Sequence, residues 1–237
     1  MQINLKPGGG GLLQPYKGKG NGDESGEYTN KPESTLTNQK RDLFNKETFL
    51  NESKDFCDKS KSTKEYLYRT MTKDEIDSVV RYSNYMYGTQ LNRAILENNL
   101  TQEQQRDVEN IVKSIKKHYL PSVKVYRGIK ISKEDRERYL KDAENKTLKY
   151  GRLITSTTRR LEHAFLNAKP TNDKPCPVVF ECSIPANYNG LPIEDIAFDR
   201  TEQEILLSEP TYYIDSIEQV TIGKITYDVF HIKLYEV

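Results

Sequence analysis

Arg200-Thr201-Glu202-Gln203-Glu204-Ile205-Leu206-Leu207 runs two glutamates, spaced two apart, straight into an apolar, β-prone segment. Side chains two apart on a strand point to the same face. The spacing therefore predicts that Glu202 and Glu204 aim two carboxylates into one space, on a strand anchored by Ile205 to Leu207. Two carboxylates on one spot repel each other, which raises the proton affinity of at least one. Such pairs suit reactions that pass through an oxocarbenium ion, because one group steadies developing positive charge while the other handles a proton. The same spacing also describes an ordinary solvated edge strand, so the pair gains meaning only from its surroundings.

The surroundings change character at Pro121. Before it the grammar is helical. Thr72-Lys73-Asp74-Glu75 is a capping box, followed by Ile76, Val79, Val80 and Met86 at roughly helical spacing; Gly88 is expected to break or kink that helix. Thr101-Gln102-Glu103-Gln104 opens a second capped helix with Val108, Ile111, Val112 and Ile115 on one face. After Pro121 the pattern is mostly β. Strands are expected around Val123–Ile129, Leu153–Thr158, Val178–Ile184, Glu204–Leu207, Thr211–Ile214, Ile217–Ile222 and Val229–Tyr235, with short helices after Ser132 and over 160–168 and a long loop over 187–200. Helices first and strands after argue for an α+β domain.

Composition bounds the rest. The chain has 237 residues and a net charge of +1, from 36 basic and 35 acidic residues, which argues against a general nucleic-acid or membrane-surface binder. Cys57, Cys176 and Cys182 offer no disulfide framework, and the scattered His118, His163 and His231 offer no metal-ligand spacing, so no metal is expected. No apolar run reaches membrane-span length, and Met1 to Lys6 lacks the core of a secretory signal. The expectation is a cytoplasmic protein, or one delivered into a target cell by some route other than a standard signal peptide. Eight of the 13 glycines fall in the first 26 residues, so residues 1–36 read as a disordered tail. Residues 37–64 read as a linker with a possible helix over 37–61, and residues 65–237 as the catalytic domain.

Three polar features sit at strand ends in a fixed order: Arg127 in Val125-Tyr126-Arg127-Gly128, the hydroxyl run Ser156-Thr157-Thr158, and the pair Glu202/Glu204. In this order, behind a helical prelude, they resemble the Arg–Ser–Glu class of mono-ADP-ribosyltransferases, which includes the enzymatic components of binary actin-modifying toxins and several phage enzymes. The resemblance covers roughly residues 72–235. Tyr82, Tyr87 and Asn92 look like the spaced tyrosines and asparagine of the toxins' helical region. Ser156-Thr157-Thr158 stands where the family has Ser-Thr-Ser. Ala164-Phe165 matches the start of an Ala-Phe-x-x-Arg motif, whose arginine is here Ala168, with Lys169 next to it. An aromatic usually stands three residues before the first glutamate; Asp199 holds that place and Phe198 lies one earlier.

The resemblance implies two packed antiparallel-rich β-sheets around a central NAD cleft, flanked by N-terminal helices. It implies NAD as the ADP-ribose donor and a protein arginine as acceptor. In that reading Arg127 grips the pyrophosphate through its guanidinium fork. Gly128 lets backbone approach the nicotinamide amide, and Ser156 orients Glu204. Glu204 binds the ribose and stabilises the cation; Glu202 takes a proton from the incoming guanidine. Thr157, Thr158, Phe165, Tyr82, Tyr87 and Asn92 line the NAD site, and Phe198 joins Glu202 in target recognition. Core packing is an equal reading for Phe165 and the favoured one for Tyr82 and Tyr87. Arg159 and Arg160 read as a solvated basic pair, and His163 as a surface helix residue. Also open are an NAD glycohydrolase, transfer to RNA or another acceptor, and a non-catalytic binding or phage structural module that keeps the fold.

Overall fold

The structure is a computed structural model and describes residues 54–235. The tail read over 1–36 and most of the helix read over 37–61 lie outside the described residues. Residues 54–59 are helical, and Phe56 and Cys57 are buried, so this part of the stretch read as linker packs into the protein core.

After that helical stretch come α1 (Lys64–Thr70), α2 (Lys73–Ser83), α3 (Tyr85–Leu96) and α4 (Gln102–Lys117). Both capping boxes form. The Thr72 and Thr101 hydroxyls accept from the backbone N–H of Glu75 and Gln104, whose side chains reach back to the cap N–H. Each such cap typically contributes about 1 kcal/mol. The break between α2 and α3 falls at Asn84, not at Gly88. The Asn84 side chain caps α3 by accepting from the N–H groups of Met86 and Tyr87. Gly88 lies inside α3 for a different reason: a Cβ there would sit 2.4 Å from the Tyr82 carbonyl oxygen. The buried carboxylate of Asp107 on α4 ties the bundle together, accepting from Ser78 and Arg81 on α2 and from Tyr87 on α3.

The β half contains β1 (Val123–Ile131), α5 (Lys133–Glu144), β2 (Lys149–Tyr150), β3 (Thr155–Thr158), α6 (Leu161–Asn167), β4 (Cys176–Ile184), β5 (Leu191–Pro192), a single 3₁₀ turn (Arg200–Glu202), β6 (Glu204–Leu207), β7 (Thr211–Ile222) and β8 (Ile225–Leu234). The strands join into one eight-stranded sheet in the order β2-β7-β8-β4-β1-β3-β6-β5. All pairings are antiparallel except β4 with β8. The two strands read over 211–222 are one strand with an irregularity between Ile214 and Ser216.

The two packed sheets expected are joined edge to edge, and the connection is slight. β1 meets β3 at one residue pair, Tyr126 with Thr158. Chain length shows how far the sheet bends. β6 and β7 lie five positions apart in the order, about 24 Å if flat. The four steps from Leu207 to Thr211 can span only about 14 Å. The sheet must therefore fold back on itself, with β3-β6-β5 turned against the other five strands. Backbone hydrogen bonds close the seam: Gly151 N–H donates to Pro210 O at 2.7 Å, and Glu209 N–H to Arg152 O at 3.0 Å. The helices pack on the β3-β6-β5 end, where Ile76, Val79, Leu91, Ile111 and Ile115 share a core with Ile154, Leu191, Ile193 and Leu206. No helix of the described residues is long and apolar enough to cross a membrane.

Candidate active site

β1, β3 and β6 are neighbours, so three short stretches deliver their polar residues to one place. Arg127 on β1 donates from Nη1 to the Ser156 carbonyl on β3 at 2.5 Å. The Ser156 side chain lies close enough to the Glu204 carboxylate, at the start of β6, to lower its pKa. The three expected residues are thus brought together, with Arg127 bonded to the Ser156 backbone and the Ser156 side chain beside Glu204.

Glu204 is buried, with 8% of its surface exposed. Burial pushes its pKa up to about 7; the Ser156 side chain and Arg127 pull the other way, and the Glu202 charge adds to the rise. Glu202 is half-buried, and burial followed by the Asp199 charge raises its pKa as well. The route by which the two carboxylates meet differs from the strand alternation read in the sequence. Glu202 ends the 3₁₀ turn, Gln203 takes a left-handed conformation (φ 48°, ψ 54°), and only Glu204 belongs to the strand. A left-handed non-glycine residue redirects the chain abruptly, so proximity is set by this turn and not by the period of a strand.

The hydroxyls of Thr157 and Thr158 hold that turn. Thr157 donates to the Ile205 carbonyl at 2.9 Å, and Thr158 donates to the Glu202 carbonyl while accepting from Arg160 N–H. Gly128 has a packing role: a Cβ there would lie 1.7 Å from the Ala164 carbonyl oxygen, so α6 lies against β1 only because the side chain is missing. Gly128→Ala is expected to destabilise the protein by about 2 kcal/mol or more, checked by denaturant unfolding. Phe165 packs edge-on against Tyr227 at 4.8 Å between ring centroids.

Tyr82 is buried and its phenol accepts from Asn92 Nδ2 at 3.0 Å; burial raises its pKa to about 12, and it feels the charges of Glu204 and Arg127. The Asn92 Oδ1 atom is buried with no hydrogen-bond partner. An unpaired buried amide oxygen is costly, and a ligand N–H would satisfy it. Tyr87 is not gathered here, since its phenol donates to Asp107 in the helical bundle. Phe198 is 76% exposed, with its backbone N–H donating to Ser83 Oγ at 2.8 Å.

Two arginines depart from expectation, and a third was missed. Arg159 is not solvated: it forms an ion pair with Glu194 at 2.7 Å, and both side chains are largely buried. Arg160 pairs with Glu162 and donates to the Thr201 carbonyl. Burial, and then the Arg160 charge, lower the pKa of His163, which is half-buried on α6. Arg152, at the seam between the two halves of the sheet, went unnoticed because nothing in Tyr150-Gly151-Arg152-Leu153 marks it. Burial and then the Arg152 charge lower the pKa of Arg127. No ion pair of Arg127 or Arg152 forms among the described residues. Two guanidiniums close enough to repel one another, beside a carboxylate of raised proton affinity, give this place a positive field that suits an anion.

Comparison with known proteins agrees with this architecture. None of the curated proteins matches. Among solved structures, the chain is similar to Plx2a, an ADP-ribosyltransferase toxin from Paenibacillus larvae (TM-score 0.63, 21% identity, covering 78% of this chain and 97% of that one). It is also similar to the C3 exoenzyme of Clostridium limosum (TM-score 0.60, 16% identity, 78% and 94%) and to C3stau2 from S. aureus, solved with NAD (TM-score 0.57, 16% identity, 79% and 96%). These likenesses are of fold. A sequence profile spans residues 58–234, from the helical prelude through the last strand, and by that match the protein belongs to the ADP-ribosyltransferase exoenzyme family.

Proposed function

We propose that this protein transfers ADP-ribose from NAD to the guanidinium of a protein arginine, releasing nicotinamide. The observation that carries the reading is the gathered set Arg127, Ser156 and Glu204 on three adjacent strands, with a buried carboxylate whose pKa lies near 7. Support for NAD comes from the buried Asn92 oxygen and the two arginines, which lack a hydrogen-bond partner and ion-pair partners respectively among the described residues, and from the S. aureus neighbour solved with NAD.

Each residue has a role that its surroundings suit. Arg127 and Arg152 hold the pyrophosphate, with Arg152 supplying the second cation that Ala168 does not. Glu204, once ionised, hydrogen-bonds the ribose and stabilises positive charge as the nicotinamide bond breaks; Ser156 orients it. Glu202 faces the acceptor and takes a proton from the guanidinium, which is otherwise always protonated. Thr157 and Thr158 fix the turn that carries both glutamates, and exposed Phe198 meets the target. Asn92 and Tyr82 form the wall of the NAD cleft, with Phe165 and Gly128 behind it; Tyr87 braces the helix that carries Asn92.

The test is incubation of the protein with labelled NAD and a cell lysate, followed by mass spectrometry, with agmatine as a parallel acceptor. Nicotinamide release with label on arginine and agmatine is expected. Label on another residue would refute the arginine assignment, release without any label would make the protein a hydrolase, and no release would leave a binding module. The cofactor grip has its own check. Arg127→Lys keeps the charge but loses the fork, and Arg152→Ala removes a charge. Each is expected to weaken NAD binding by roughly tenfold without unfolding the protein. An unchanged dissociation constant on NAD titration would make that residue structural.

A further inference from the structure

The left-handed Gln203 sets the angle between Glu202 and Glu204, and two neighbouring strands flank it. Beyond the end of β3, Arg159 N–H donates to the Gln203 carbonyl at 3.2 Å; beyond the end of β5, Ile193 N–H donates to the Glu204 carbonyl at 3.0 Å. The registers place Arg159 beside Gln203 on one side and Glu194 beside it on the other. Their side chains then meet: Arg159 Nη2 donates to both Glu194 oxygens, at 2.9 and 2.7 Å. The ion pair thus staples together the two chain segments that bracket β6, at the level of the left-handed Gln203 that precedes it.

The staple is roofed from outside the sheet. The Arg159 guanidinium lies 3.9 Å from the centroid of the Phe56 ring, and the Cys57 thiol donates to Glu194 Oε1 at 2.8 Å. Burial, then the bond to Glu194, push the Cys57 pKa far up, so the thiol stays a proton donor. A cation against an aromatic face and a desolvated ion pair are both stronger out of water than in it. A left-handed non-glycine residue costs on the order of 1 kcal/mol and persists only where its surroundings hold it.

We infer that Arg159 and Glu194, roofed by Phe56 and Cys57, are positioning residues that hold the Glu202-Gln203-Glu204 turn in its working geometry. None of the four reaches substrate; they act through the turn. The inference rests on the transferase reading for its consequence in activity, but its structural content can be read without it.

The experiment uses full-length Glu194→Gln, Arg159→Lys and the apolar pair Arg159→Met/Glu194→Leu. A buried ion pair replaced by apolar residues of similar volume often keeps its stability, so the double variant separates positioning from folding. Nicotinamide release, thermal midpoint and amide hydrogen exchange at Gln203 to Ile205 are measured on each. Exchange at these amides is expected to rise about tenfold in Glu194→Gln and in the double variant, with kcat down about tenfold and the KM for NAD within about twofold. Arg159→Lys keeps a cation and should fall between these and the wild type. Wild-type exchange and kcat in a double variant with an unchanged thermal midpoint would overturn the inference, as would a loss confined to KM. If Glu194→Gln fails to fold, the double variant and Cys57→Ala, which removes one hydrogen bond from Glu194, carry the same comparison. If the wild type itself releases no nicotinamide, the transferase reading fails, and the exchange measurement still decides whether the staple holds the turn.

Discussion

Replacing Glu204 by glutamine is expected to lower nicotinamide release by on the order of 10²–10³ and, at the same time, to stabilise the protein above neutral pH. The two effects share a cause. Glu204 is buried beside Glu202, which lifts its pKa to about 7. Between the ordinary glutamate value of about 4.3 and that raised value, the folded protein keeps a proton that the unfolded chain has released. Stability therefore falls as pH rises through this window, and the full penalty, on the order of 3–4 kcal/mol, is present above it. Glutamine carries no charge to desolvate. The variant should melt above the wild type at pH 8, with the difference closing toward pH 4. Wild-type activity should climb through about pH 7 as Glu204 ionises. Wild-type turnover by Glu204→Gln would remove the proposed site, and equal melting at pH 8 would show that the carboxylate is not held against its own ionisation. A catalytic group that weakens the fold is the usual cost of a preorganised site.

Glu202→Gln should divide the reaction in two. If Glu202 only prepares the acceptor, transfer to agmatine falls by roughly 10²–10⁴ while NAD hydrolysis continues, because water still captures the cation that Glu204 and Arg127 help to form. The structure gives the division a physical basis. Glu202 lies outside β6, on the far side of the left-handed Gln203, and is half-buried where Glu204 is buried. Its backbone is fixed by Thr158 through the carbonyl, so the substitution leaves the turn's hydrogen bonds in place. Agmatine is a free guanidine and bypasses the target recognition proposed for Phe198. Equal loss of release and labelling would assign Glu202 to the cofactor step or to the fold. Retained agmatine labelling would require a different base or an acceptor other than arginine.

Local signals carried much of this protein in one dimension. The capping boxes at Thr72 and Thr101, the apolar periodicity of α4, and the β-branched runs of β3, β4 and β7 are short-range properties, written within a few residues of where they act. Arg127, Ser156 and Glu204 were singled out on equally short contexts, although Arg127 stands in the middle of β1 and not at a strand end as expected. What the sequence did not decide was every feature that depends on where the folded backbone places two groups, near or far along the chain. Gly88 looked like a helix breaker, yet its reason is a carbonyl one turn away in space, and the break lies at Asn84, whose side chain caps the next helix. Two glutamates in alternation implied one strand face, yet the left-handed Gln203 brings them together through a turn held from β3. Arg159 read as a surface charge because its partner, Glu194, stands 35 residues away, and Cys57 is 137 residues from the same carboxylate. Residue type and spacing determine local geometry and the candidate chemistry. Burial, and with it the pKa of Glu204 and the pairing of Arg159, is decided only when the sheet folds back and brings low-dielectric surroundings from the other end of the chain.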